Sequence, residues 1–176
     1  MKPQLSHVGI YCHDSEAMIR FYEEVLGLTV TDRGVSSSTK QPITFMSSNA
    51  TQHHQFVLVK GRDTSAPSTI NQLSFKVDSL DDLRAVSSKA TTRGCKVRQT
   101  SHGNAWSIYF LDPEGNQIEI YLDTPWHVAQ PHGDHIDFSK SDAEIYAETE
   151  RRVRADPTFK LKDVREAELA AVLAAK

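Results

Sequence analysis

The period of the hydrophobic positions changes in a regular order along the chain. Residues 5–12, LSHVGIYC, alternate and carry β-branched side chains, which predicts a strand. From about Ser15 to Leu26 the spacing switches to that of a helix: Met18, Phe21, Tyr22, Val25 and Leu26 fall on one face. Ser15 is the expected N-cap and Gly27 the expected stop. Three strand-like runs follow, at 28–32, 43–47 and 54–59.

The same order then recurs. Residues 70–77, INQLSFKV, read as a strand, and about Leu80–Thr92 as a helix. Ser79 and Asp82 resemble a capping box, Leu83, Val86 and Ala90 form the apolar stripe, and Gly94 ends it. Strand-like runs at 95–100, 106–111 and 117–122 complete the second copy. Both copies read β-α-β-β-β with an offset of about 65 residues, so His7 maps onto Gln72. The expected fold is α+β: tandem βαβββ modules, 1–60 and 70–123, joined by the polar linker 61–69 and forming a curved mixed sheet around a central cleft.

Residues 124–176 belong to neither copy. An extended arm, TPWHVAQPHGDH, precedes two helical stretches, Asp142–Ala155 and Asp163–Ala175, separated by Pro157. Ile145, Val153, Leu169, Val172 and Leu173 are expected to dock onto the body, or onto a second subunit in a homodimer. Pro125-Trp126 offers an apolar wall at the pocket mouth. No helix or strand spacing organises His127, His132 and His135, although the arm that carries them is long enough to act as a lid.

Composition narrows the class. At 176 residues the chain is one domain, or two small units sharing a core. With 39% hydrophobic and 24% charged residues it resembles an ordinary globular protein, which excludes wholesale disorder. No apolar run approaches a membrane span, and the N-terminus lacks the apolar core of a signal peptide. Two cysteines without an export signal read as free thiols in the cytoplasm. A net charge of −3 with scattered basic residues excludes a nucleic-acid-binding face.

The candidate chemistry lies on the strands. Glu119 sits between Ile118 and Ile120, where an acid is costly to bury unless paired or metal-bound. Its counterpart in the first copy is Phe56 or Gln55. His54 shares the face of Phe56, and His53 is expected to point the other way. Histidine and carboxylate on converging strands suit a catalytic divalent metal.

These residues resemble the vicinal oxygen chelate superfamily, the glyoxalase, bleomycin-resistance and dioxygenase group, over about residues 4–123. FYEEVLGLTV and YFLDPEGNQIEIY carry the likeness. Within that group the chain is most similar to the type I extradiol ring-cleaving dioxygenases. It carries His102, then Ile108-Tyr109, then the D-P-E-G turn at 112–115, then Glu119, with the doublet His53-His54 upstream. The resemblance implies a metal held by His7, Gln72 and Glu119, with Fe(II) expected and Mn, Ni or Zn as substitutes. It implies His54 as the acid/base and His102 and Tyr109 as catalytic hydrogen-bonding partners. His54, Phe56, His102 and Tyr109 would contact a catecholic aromatic substrate, with O2 as co-substrate. The chain departs from the pattern at Gln72, where the family has histidine; an amide oxygen is a harder and weaker donor than imidazole. Glyoxalase I, which does use glutamine as a ligand, gives the alternative of a metal-dependent isomerase or lyase. A bleomycin-resistance-like binding protein without turnover is the third expectation.

Overall fold

The computed structural model describes residues 3–175. The first βαβββ series is β1 (Val8–Cys12), α1 (Ser15–Leu26), β2 (Thr29–Val35), β3 (Pro42–Ser47) and β4 (Phe56–Lys60). The second is β5 (Leu73–Lys76), α2 (Leu80–Thr92), β6 (Arg98–Ser101), β7 (Ala105–Leu111) and β8 (Gln117–Asp123). The C-terminal part adds β9 (Trp126–His127), α3 (Asp142–Arg154), β10 (Lys160–Leu161) and α4 (Lys162–Ala174). The expected α+β class and the tandem modules are therefore observed. Two compact units result: Met1–Asn71 with Leu111–Gln117, and Gln72–Phe110 with Ile118–Lys176.

In the first unit the strand order is β1-β4-β3-β2, with β1 parallel to β4 and β3 antiparallel to both neighbours. The N-cap of α1 is Asp14 rather than Ser15. The Asp14 carboxylate accepts the Ala17 N–H at 3.0 Å, and Ser15 is already helical. Gly27 closes the helix in the left-handed region, φ 71°, where a side chain would be strained. Met18, Phe21, Tyr22 and Val25 bury the apolar face of α1, each contributing roughly 1.5–3 kcal/mol. The turn Leu111–Gln117 completes this unit. Asp112 accepts the Tyr22 hydroxyl at 3.1 Å and the Asn116 amide at 2.7 Å, and Glu114 accepts the backbone N–H groups of His13 and Asp14.

The second unit repeats the order, β5-β8-β7-β6, with β5 parallel to β8. Ser79 caps α2 through the Asp82 N–H. Helix α3 opens with a capping box, Ser141 and Glu144, and buries Ile145, Thr149 and Val153. Trp106 anchors it, donating its indole N–H to the Thr149 hydroxyl at 2.9 Å. Of the five tail residues expected to dock, Ile145 and Val153 are buried, whereas Leu169, Val172 and Leu173 on α4 are exposed. Trp126 is buried too, edge-on to Trp106 and Tyr146. Among the described residues no helix is long and apolar enough to cross a membrane.

Candidate active site

Both modules place their first candidate residue just before the opening strand: β1 begins at Val8 and β5 at Leu73, so His7 and Gln72 directly precede them. The ladders correct one correspondence. Gly9 pairs with Val57 in the first unit, and Ser74 pairs with Glu119 in the second. The residue matching Glu119 is thus Val57, not Phe56 or Gln55. Phe56, expected at the substrate, is 1% exposed and lies against the Tyr22 ring at 4.5 Å, in the core beneath α1.

In the first unit, His7 and His54 pack edge to face with ring centroids 4.3 Å apart. His53 does not point away from His54. Strand β4 starts only at Phe56, so the doublet lies in the preceding turn, where side chains need not alternate. The two Nδ1 atoms approach to 2.9 Å, and both rings pack on Phe45. Desolvation, then the neighbouring His7 and His53, hold His54 below the ordinary imidazole value, which makes it a neutral proton acceptor at pH 7.

The second unit brings Gln72, His102, Tyr109 and Glu119 together on one wall of a cleft of about 710 Å³. Glu119 projects from β8 and is nearly buried, 8% exposed. Its Oε2 accepts the Gln72 amide at 2.8 Å and the Ser74 hydroxyl at 2.6 Å. Ser74 was not foreseen, yet period-two alternation puts it on the face of Gln72. Glu119 Oε1 accepts a short hydrogen bond from the Tyr109 hydroxyl. That hydroxyl lies 2.7 Å from His102 Nε2, and His102 Nδ1 lies 2.7 Å from the carbonyl oxygen of His132. A carbonyl only accepts, so Nδ1 carries a hydrogen. The Tyr109 hydroxyl thus stands between His102 Nε2 and Glu119 Oε1. Burial and then Glu119 push the Tyr109 phenol up to about 12, so it stays protonated at neutral pH. Arg98 stacks over the Tyr109 ring at 4.2 Å.

The fit of a divalent metal can be judged from the donors. Among the described residues no three His, Cys, Asp or Glu side chains converge on a common point as an ion requires. The second unit supplies oxygen instead. Gln72 Nε2 donates to both Ser74 and Glu119, which leaves the amide oxygen without a donor among the described residues. Glu119 accepts three hydrogen bonds where a carboxylate has about four lone-pair positions. A carboxylate and an amide carbonyl side by side fit a hard cation of the Mn(II) type better than a soft one.

The arm, expected only as long enough for a lid, supplies residues that sequence reasoning did not single out as lining this cleft. Gln130, Pro131 and His132 line it. Their only signal was a histidine-containing segment with no periodicity.

The model of the Glyoxalase/Bleomycin resistance protein/Dioxygenase superfamily matches residues 4–120. An uncharacterized Bacillus subtilis protein, YwbC, is 25% identical over 127 residues, which is 69% of this chain and 98% of that one. Two solved structures share the fold. A glyoxylase/bleomycin resistance protein/dioxygenase domain from Frankia has a TM-score of 0.57 at 22% identity, covering 70% of this chain and all of that one. The fosfomycin resistance protein FosX of Listeria monocytogenes, complexed with Mn(II) and sulfate, has a TM-score of 0.55 at 16% identity, covering 70% of this chain and 95% of that one. The chain belongs to the glyoxalase, bleomycin-resistance and dioxygenase superfamily.

Proposed function

We propose that this protein is a metal-dependent enzyme of the vicinal oxygen chelate type that cleaves a catecholic aromatic ring with O2. The observation that carries this reading is the hydrogen-bonded chain His102–Tyr109–Glu119, with Gln72 alongside, on a cleft wall that also presents Tyr121 and Pro131. Among the described lining residues there is no lysine or arginine. Such a surface suits an aromatic diol and offers no cationic side chain to a phosphonate of the kind that fosfomycin resistance proteins handle.

Glu119 and Gln72 are the proposed oxygen ligands, and His7 is the imidazole that the resemblance adds. Held there, a divalent ion, with Fe(II) expected for oxygen chemistry, would lower the pKa of a hydroxyl bound to it. The remaining work falls to the chain's own side chains. His54, held neutral, takes up the substrate proton. Tyr109, which keeps its proton, holds Glu119 in place. His102, fixed through Nδ1, presents Nε2 to Tyr109, so a proton can pass along the chain as charge develops on the substrate oxygen.

The experiment is metal analysis of protein purified without chelators, before and after anaerobic Fe(II) loading, followed by oxygen uptake with a panel of catechols. The expected result is near-stoichiometric metal that is lost in His7→Ala and in Glu119→Ala, with oxygen consumed one-for-one with substrate. Protein that retains no ion and consumes no oxygen would refute the reading. Gln72 favours one second reading, since an amide oxygen also serves glyoxalase-like isomerases. Turnover that proceeds anaerobically with Mn, Ni or Zn identifies that case.

A further inference from the structure

We propose that Gln130 is a positioning residue for His102, and that the arm around residues 128–134 therefore belongs to the catalytic cleft; the kinetic part of this proposal rests on the function proposed above. The family model stops at residue 120, so this segment lies outside the matched modules. Yet the arm fixes the far end of the proton chain. The His132 carbonyl holds His102 Nδ1 at 2.7 Å. One side chain braces the peptide next to that carbonyl, beside the His132 ring's own contacts with Asp134 and Asp156. Gln130 Oε1 accepts the His132 N–H at 3.1 Å, while Gln130 Nε2 donates to the His102 carbonyl at 2.9 Å and to Asn104 Oδ1 at 3.2 Å. One amide thus ties the backbone of the arm to the backbone of the residue that the arm orients. A reciprocal pair of bonds between Ser101 and Asp134, 2.8 and 2.9 Å, secures the next stretch.

The consequence is chemical. A neutral imidazole free in water exchanges its hydrogen between its two nitrogens. Here Nδ1 must keep a hydrogen, because its partner is a carbonyl, so Nε2 is the nitrogen that faces Tyr109. An amide is the side chain the clamp needs, because it must accept at one end and donate at the other. Glutamate at this position could accept from His132 but would repel the His102 and Asn104 oxygens. Gln130 itself is exposed, so its replacement removes the clamp without opening the core.

The test uses the full chain with uniformly 15N-labelled histidine. The wild type is expected to show a His102 Nδ1–H resonance protected from exchange with water, assigned by its absence in His102→Asn. In Gln130→Ala the resonance broadens or disappears, and Gln130→Glu, which keeps the shape but not the donor, behaves the same way. A resonance that persists unchanged in both variants, or one missing from the wild type, overturns the proposal. With Fe(II)-loaded protein and a catechol, Gln130→Ala is expected to lower kcat about tenfold with KM changed less than about threefold, the worth of one orienting hydrogen bond. Loss of the resonance with kcat unchanged also overturns the positioning role. A wild type with the resonance but no turnover refutes ring cleavage alone, and the clamp is then upheld by the resonance lost in Gln130→Ala.

Discussion

Gly103→Ala tests how tightly the arm is seated. Gly103 follows His102 and has φ +73°, a region that L side chains rarely adopt. A Cβ built there would lie 2.5 Å from Val128 Cγ2 and 3.1 Å from Val153 Cγ1. Both valines are buried and stiff at χ1, so neither can swing aside. Left-handed backbone costs an alanine about 1–2 kcal/mol. Forcing a methyl into a packed site adds about 1–3 kcal/mol. Reduced freedom of the unfolded chain returns about 0.4–1 kcal/mol. The net expectation is a loss of roughly 1–4.6 kcal/mol. Urea unfolding followed by tryptophan fluorescence measures it, because both tryptophans, Trp106 and Trp126, are buried in this unit. Gly34→Ala is the control, with nothing within 4 Å of its Cβ. The double variant Gly103→Ala/Val128→Ala should lose less than the sum of the single variants, since the shorter side chain removes the overlap. A loss below about 0.5 kcal/mol, or strict additivity in the pair, would refute the account of the packing.

Three further outcomes are expected. Tyr109→Phe should fold and should lower ring-cleavage kcat by about 100-fold, because it removes the hydroxyl between His102 and Glu119; an unchanged kcat contradicts the role given to the chain. Trp106→Phe should destabilise by about 1–3 kcal/mol in urea unfolding, because the Thr149 hydroxyl is left buried without its donor; the effect should shrink when tested in a Thr149→Val background. Burial raises Asp123, but hydrogen bonds from Lys162 and Lys76 outweigh it and hold the carboxyl below its ordinary value. Its stabilisation is therefore present above the unfolded value of about 3.9 and is lost as pH falls through the folded one, so the stability difference between wild type and Asp123→Asn should be flat near neutrality and narrow in acid; a difference that grows in acid has the wrong sign.

The helices were legible because period is a strong signal: α1 spans Ser15–Leu26 as its apolar spacing requires. Glu119 was legible because an acid between two isoleucines has no cheap place in a strand, and it is held by three donors. The doublet misled because alternation was extended two residues beyond the start of β4, into a turn. Val57 was missed as the counterpart of Glu119 in the first copy because turn lengths differ between the copies, and only the ladder fixes register. The orientation of His102 was out of reach for a simpler reason. It depends on a main-chain carbonyl, which every residue possesses, so no residue type announces it.

The turn Leu111–Gln117 has a consequence for how the protein is made. Tyr22 finds its acceptor in Asp112, ninety residues later, and Asn116 accepts from Ser68 and Arg62. A ribosome that has released residues 1–71 has therefore supplied most of the first unit but not the groups that satisfy its buried hydroxyl. The first unit reaches its final state only after the turn has emerged, so a segment made first waits on one made after it. A gene fragment cut at the linker would encode a first unit still lacking that turn.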